Sequence, residues 1–397
     1  MFKFNFDLDE QDIDEDLAQD GDQSRQDVTS VAASSQAPLK PFKEIDLIDL
    51  TKRLPSVISY SPLSFPLSDG SISTVARRDL YDARFEVISQ DQHEGTSSTG
   101  VSSAEEPTEL DFLEAPSDLV SGVYEGGLKT WECSLDLAAF LHGLQSQGKL
   151  NLTRILELGC GTAVPSLYLL QTLLSSQSPP QADIDIHLQD YNDLVFRLVT
   201  VPNLILTWYM SPASEAFRRS TAENQDGQDQ DDDPLPPPDP TISGDLPVSP
   251  ALIAAFLDSL KQRRIQIRLF TGSWDTFDIS HTGGKYGLVL TSETIYRIES
   301  LPSLIQLLRR ASVGAENERD AETDLVKSTL ALTLSSPPLE YTCLVAAKLV
   351  YFGVGGGVSE FVEAVEGGRS GHAAGKVETA WEQTSGVKRS IMNVRWV

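Results

Sequence analysis

Ile155-Leu156-Glu157-Leu158-Gly159-Cys160-Gly161-Thr162 decides the reading of this chain. An apolar run ends beside an acid and two glycines one residue apart, and helix-forming apolar residues follow from Val164 to Leu174. That is the order strand, tight glycine turn, helix. Such a turn, at the carboxyl end of an α/β strand, is where nucleotide-like cofactors sit. The third glycine of a dinucleotide fingerprint would fall at Val164, so the E-x-G-x-G form leans away from NAD and toward S-adenosylmethionine.

Working outward, apolar residues at 135, 137, 138, 140, 141 and 144 predict a helix over Leu135–Leu144 with one buried face. Arg154–Leu158 is the first strand, and the helix after it carries Pro165 in its first turn, where a missing N–H does no harm. Ile184, Ile186 and Leu188 alternate along a second strand, Ile184–Gln189, which ends at Asp190, and a short helix takes in Leu194–Thr200. A helix at Ala251–Lys261 precedes strands at Ile265–Phe270 and Tyr286–Thr291. Then come a helix at Leu301–Arg310, a strand at Tyr341–Tyr351 and a helix at Val358–Val365. Val377–Gln383 and Ser390–Trp396 read as a closing hairpin about Ser385-Gly386. The expected fold is α/β: a Rossmann-like seven-stranded, mostly parallel sheet with one reversed edge strand, helices on both faces, and an extended N-terminal extension.

The 397 residues carry a net charge of −27, unevenly placed. Residues 1–35 hold ten acids and two bases, and residues 212–250 nine acids and two bases. Both stretches read as disordered. Residues 1–35 are taken as an acidic tail in which Phe2, Phe4 and Phe6 alternate, and 36–116 as an N-terminal extension and linker with β-like runs at Val57–Tyr60 and Phe85–Ile88. The main domain spans 117–397, interrupted by an acidic, proline-rich insertion at 211–250 and a polar connection at 311–338. No basic stripe is present, so direct nucleic-acid binding is not expected. The three cysteines form no CxxC or Cys/His cluster, and the five histidines show no metal spacing, so no metal is expected. No run approaches the ~20 apolar residues of a membrane span. The expectation is a soluble, cytoplasmic and nuclear monomer.

Glu157 and Asp190 close the first two strands on one rim of the sheet. An acid at the end of the second strand can accept hydrogen bonds from both ribose hydroxyls, and Gly159 and Gly161 let backbone approach a ligand. Gly272-Ser273-Trp274 ends the third strand, and its indole either covers an adenine or simply packs at the rim. Ser292-Glu293-Thr294-Ile295-Tyr296 ends the fourth. Glu293 either orients a nitrogen nucleophile or takes its proton, or else serves as a helix N-terminal acid favoured by the dipole. Before the first strand, Gly126-Gly127 makes a turn that leads to Thr130, Trp131, Glu132, Cys133 and Ser134; Ser134 is placed to cap the next helix. Cys133 and Cys160 read as small buried residues. Tyr351-Phe352-Gly353-Val354-Gly355-Gly356-Gly357 lacks the Gly-Lys-Ser/Thr ending of a P-loop and reads as a rim loop at the substrate mouth.

Glu157-Leu158-Gly159-Cys160-Gly161, Asp190-Tyr191-Asn192 and Gly272-Ser273-Trp274 resemble the seven-β-strand S-adenosylmethionine-dependent methyltransferases. Gly126 to Cys133, Ser292 to Tyr296 and Tyr351 to Gly357 narrow the resemblance to the protein-histidine N-methyltransferases, as does Lys40-Pro41-Phe42-Lys43. That resemblance implies S-adenosylmethionine as cofactor and, as substrate, a histidine of a basic large-subunit ribosomal protein. It places Thr130 through Ser134, Gly159, Asp190 through Asn192, Gly272 through Trp274 and Ser292 around the cofactor. Two other readings stay open: a lysine methyltransferase of the same fold, which Glu293 with Tyr296 would suit, and a binding or assembly factor that keeps the fold without turnover.

Overall fold

The computed structural model describes residues 39–83, 119–120, 124–125, 127–225, 235–314, 341–351, 355–367 and 374–397. The readings of the acidic tail, of Phe85–Ile88, of the linker up to 116 and of 315–338 fall outside the described residues. Leu39–Val397 forms one compact unit.

The chain begins with β1 (Lys43–Ile45), α1 (Leu47–Thr51) and the hairpin strands β2 (Val57–Pro66) and β3 (Ile72–Arg78). Two-residue strands β4 (Leu119–Val120) and β5 (Tyr124–Glu125) precede α2 (Glu132–Ser146). Next come β6 (Arg154–Leu158), α3 (Val164–Ser175) and β7 (Ile184–Asp190). One continuous helix, α4 (Asp193–Tyr209), carries a π-helical turn at Phe196–Thr200. It is followed by α5 (Glu215–Gln225), β8 (Gly244–Pro247), α6 (Pro250–Gln262), β9 (Ile265–Thr271) and β10 (Leu288–Ser292). The last elements are α7 (Leu301–Val313), β11 (Thr342–Lys348), α8 (Val358–Glu366), β12 (Gly375–Gln383) and β13 (Arg389–Trp396).

The central sheet runs β1-β9-β7-β6-β10-β11-β13-β12. Its five inner strands, β9 to β11, are parallel, and β13 is antiparallel to both β11 and β12. The α/β expectation holds. Among the described residues the sheet has eight strands rather than seven, because β1 from the N-terminal extension pairs antiparallel with β9. The reversed strand of the closing hairpin, β13, sits inside the sheet, and β12 forms the edge.

Parallel strands covered on both faces are buried along nearly their whole length, and β6 and β10 are, with Glu157 the one acid within them. Alternate residues serve opposite layers. Ile155 joins Leu167, Ile186, Leu204 and Phe256 on one face. Leu156 and Leu158 join Val289, Leu304, Phe361 and Val394 on the other. Glu157 points the same way as Ile155, toward α3, with consequences for the site.

The insertion is a correction. Within 211–250 the described residues are folded: Ser211 caps a turn at Pro212–Ser214, α5 follows, and β8 pairs antiparallel with β2, Tyr60 opposite Gly244 and Val57 opposite Pro247. A Cβ at position 244 would lie 2.8 Å from the Tyr60 hydroxyl, so glycine admits the tyrosine. The composition, rich in Asp and Pro, hides a four-residue strand whose partner lies far back along the chain. Among the described residues no single helix is long and apolar enough to cross a membrane, and no group of three or more His, Cys, Asp or Glu is placed to hold a metal.

Candidate active site

A crevice opens over the carboxyl ends of β6, β7 and β10. In an open α/β sheet this is where the strand order turns back on itself, and it is the place ligands bind. Of the sequence-derived candidates, Trp131, Ser134, Gly159, Gly161 and Asp190 line it, as do Tyr191, Trp274, Ser292 and Glu293. Gly127, Lys129, Cys160, Thr162, Thr294 and Tyr296 complete the wall.

Three turns interlock to form the floor. Gly159 and Gly161 hold φ of +60° and +51°, and Ala163 before α3 is also left-handed at +59°. A Cβ on Gly159 would meet Thr294 Cγ2 at 2.6 Å, and one on Gly161 would meet the Gly127 carbonyl at 3.0 Å. These glycines therefore make room for the neighbouring turns. Gln189, one residue before the β7 acid, ties the turns together. Its Oε1 accepts from the Trp274 indole N–H at 3.0 Å and from the Gly159 amide at 3.3 Å, and its Nε2 donates to the Gly272 carbonyl at 2.9 Å. The sequence reading missed Gln189. β7 alternates apolar and polar residues from Ile184 to Asp190, so the one local signal was its place next to the strand-ending acid.

Asp190 is 8% exposed and faces the crevice. Its Oδ2 accepts from the Gly161 amide at 2.9 Å and its Oδ1 from the Asn192 amide at 3.4 Å. A carboxylate so placed can accept from two neighbouring hydroxyls. Tyr191 and Trp274 flank it as aromatic walls.

The other end of the crevice is built on Glu293. Its backbone is left-handed, φ +59°, an uncommon state for a side-chain-bearing residue and one that clusters at functional sites. The Tyr351 hydroxyl donates to Glu293 Oε2 at 2.6 Å, while Oε1 is buried with no hydrogen-bond partner and lies 3.8 Å from Lys348 Nζ. Lys348 also stands 3.3 Å from Glu132 Oε2 and 4.8 Å from the centroid of the Trp131 ring. Burial and the Glu293 charge push the Tyr351 phenol and the Cys133 thiol well above their ordinary values, so both stay protonated. Gly356 of the glycine-rich stretch after Tyr351 reaches the Ser292–Tyr296 stretch, donating its amide to the Tyr296 carbonyl at 3.0 Å. A Cβ on Gly356 would lie 2.4 Å from that carbonyl.

Seven candidates stand outside the crevice wall. Thr130 meets Thr162 hydroxyl to hydroxyl at 3.0 Å, and Cys133 is buried in α2. Glu132 pairs with Lys348. Asn192 caps α4, accepting from the Leu194 amide. Gly272 and Ser273 form the turn beneath Trp274. Glu157 is buried against α3, where the Ser166 amide and hydroxyl donate to its Oε2. Burial pushes its carboxyl up to about 7, against the pull of those two bonds, with the Asp190 charge adding to the rise.

A parallel core with β13 returning between β11 and β12, and a crevice bounded by a glycine turn and the β7 acid, define a Rossmann-like methyltransferase domain. The chain is 33% identical over 317 residues to histidine protein methyltransferase 1 of Schizosaccharomyces pombe, covering 79% of this chain and 73% of that protein. It is 30% identical over 327 residues to histidine protein methyltransferase 1 of Saccharomyces cerevisiae, covering 80% and 75%. The chain belongs to the histidine protein methyltransferase 1 family and is a methyltransferase. Among solved structures, the rRNA methyltransferase aviRa from Streptomyces viridochromogenes aligns with a TM-score of 0.32 at 14% identity, over 74% of this chain and 96% of that one. No protein-family model matches the chain.

Proposed function

We propose that this protein transfers a methyl group from S-adenosylmethionine to a ring nitrogen of a histidine in a protein, and that the protein is a basic component of the large ribosomal subunit. One observation carries the reading. A single crevice joins a carboxylate suited to a sugar, Asp190, with a second, buried carboxylate, Glu293, one of whose oxygens has no hydrogen-bond partner.

The donor would supply an electrophilic methyl on a sulfonium, the S–CH3 bond breaking as the N–CH3 bond forms and S-adenosylhomocysteine leaving. Asp190 would accept from its ribose hydroxyls, Tyr191 and Trp274 would flank the base, and Ser292 and Trp131 would border the reactive end. Imidazole is mostly neutral near pH 7, with an unperturbed pKa of ~6.5, so its free nitrogen is nucleophilic without a strong base. Glu293 Oε1 accepts the N–H of the other ring nitrogen. That bond fixes the tautomer and turns the lone pair toward the methyl, so the enzyme contributes mainly by alignment. The positive charge that arrives on the ring then faces the carboxylate.

The net charge of −27 favours a basic protein partner over nucleic acid. A monomer acting where ribosomal proteins are made and assembled, in cytoplasm and nucleus, fits this reading. Tyr296 beside Glu293 also suits a lysine acceptor, and one experiment separates the two. The purified protein is incubated with methyl-labelled S-adenosylmethionine and an extract of cells that lack it, and the labelled proteins are hydrolysed to amino acids. Label in methylhistidine is expected; label confined to methyllysine, or no label, overturns the proposal.

A further inference from the structure

The segment Lys40–Ile45 is bound to the nucleoside end of the crevice by several independent contacts. The Lys40 carbonyl accepts from the Ser273 amide at 2.9 Å and from the Thr276 hydroxyl at 3.0 Å. The chain passes so close to the Gly272 turn that a Cβ there would lie 2.4 Å from the Pro41 carbonyl and 3.0 Å from Phe42 Cα. The Lys40 ammonium stands 5.6 Å from the centroid of the Tyr191 ring and 3.3 Å from Asp193 Oδ1. Phe42 stacks on Phe270 and meets Phe277 edge-on. Glu44 closes the clasp: its two oxygens each take a 2.7 Å bond from Arg268 of β9, and Oε2 lies 2.8 Å from His281 Nε2.

Two crevice walls therefore rest on this strap. Trp274 follows directly from the turn whose amide the strap holds, and Tyr191 lies under the Lys40 ammonium. We infer that Lys40 and Glu44 are positioning residues for the methyl donor, the strap being a built part of the donor site. This inference rests on the donor reading given above. The strap touches neither the acceptor end nor Glu293, so its effect falls on donor affinity and leaves the transfer step alone.

The test uses the full chain and S-adenosylhomocysteine, titrated calorimetrically. Lys40→Ala and Glu44→Gln each weaken its binding by ~5-fold or more, raise KM for S-adenosylmethionine in parallel, and leave kcat at saturating donor within about twofold. Because Lys40 acts through Tyr191, adding Lys40→Ala to Tyr191→Leu costs less than either change alone predicts. Hydrogen exchange gives a reading that needs no variant: saturating S-adenosylhomocysteine slows exchange at the Ser273 amide and along 42–45. Affinities within twofold of wild type for both variants, or unchanged exchange on ligand addition, overturn the inference. A wild-type chain that binds no S-adenosylhomocysteine would instead overturn the donor reading itself.

Discussion

Glu293 combines three features that seldom coincide: a left-handed backbone, a side chain almost wholly buried and an oxygen without a hydrogen-bond partner. Each is unfavourable for stability, which is why their coincidence marks chemistry. Glu293→Gln keeps the shape and loses the charge. It is expected to lower kcat by ~100-fold or more while S-adenosylhomocysteine affinity, measured calorimetrically, stays within twofold. Asp190→Ala is the mirror case. It removes a crevice acceptor and also orphans the Gly161 amide, so donor affinity should fall by ~10- to 100-fold in the same titration. Glu157 belongs to stability. Its carboxyl is raised to about 7 in the folded chain, above the ordinary unfolded value. The folded state thus holds the proton more tightly, and the stability this lends is complete below pH ~4.3 and lost as pH rises through 7. Urea unfolding at pH 5 and pH 8 should show Glu157→Gln losing less stability over that interval than wild type, by at most ~3 kcal/mol.

At the scale of elements, the crevice is a junction of turns, and Gln189 is the knot. Gln189→Ala would leave the Trp274 indole N–H, the Gly159 amide and the Gly272 carbonyl short of a partner. With buried orphans worth ~1–3 kcal/mol each, a loss of ~2–4 kcal/mol in chemical unfolding is expected, together with weaker donor binding. This junction also shows what a sequence can and cannot reveal. Arg154–Leu158 was legible to the residue, because a buried parallel strand running into a glycine turn is a local pattern. The helix at Val164 and the acid ending β7 were legible for the same reason. Gln189 was hidden because its meaning lies in three partners on two other turns. Lys348 was hidden likewise: at the end of β11 it reads as a solvated cation, yet it meets Trp131, Glu132 and Glu293. Glu157 was read as a rim acid beside Asp190, because its place next to the glycines outweighed the residue alternation along β6 that turns it toward α3.

For the whole molecule, the reach of the N-terminal extension was the least legible property. Short β-like runs announced strands, and their partners could not be named: β1 completes the central sheet through β9, and β2 captures β8 out of the acidic insertion. Register explains why the captured strand is so short. Gly244 and Pro247 bound it, and Leu246 is the one residue buried from it, packed in the same core as Ile58. Leu246→Asp should therefore loosen the insertion from the hairpin. The expected signature is faster amide exchange in β2 and β8 with the β6–β10 core unchanged.

The place of β13 has a further meaning for biogenesis. This strand is synthesised after both of its neighbours, yet it lies between them. While it is still inside the ribosomal tunnel, β11 is an open flank and β12 has nothing to pair with. Emergence of Arg389–Trp396 is therefore the event that seals the nascent barrier against intermolecular strand exchange, and a chain interrupted before it exposes two sticky borders at once.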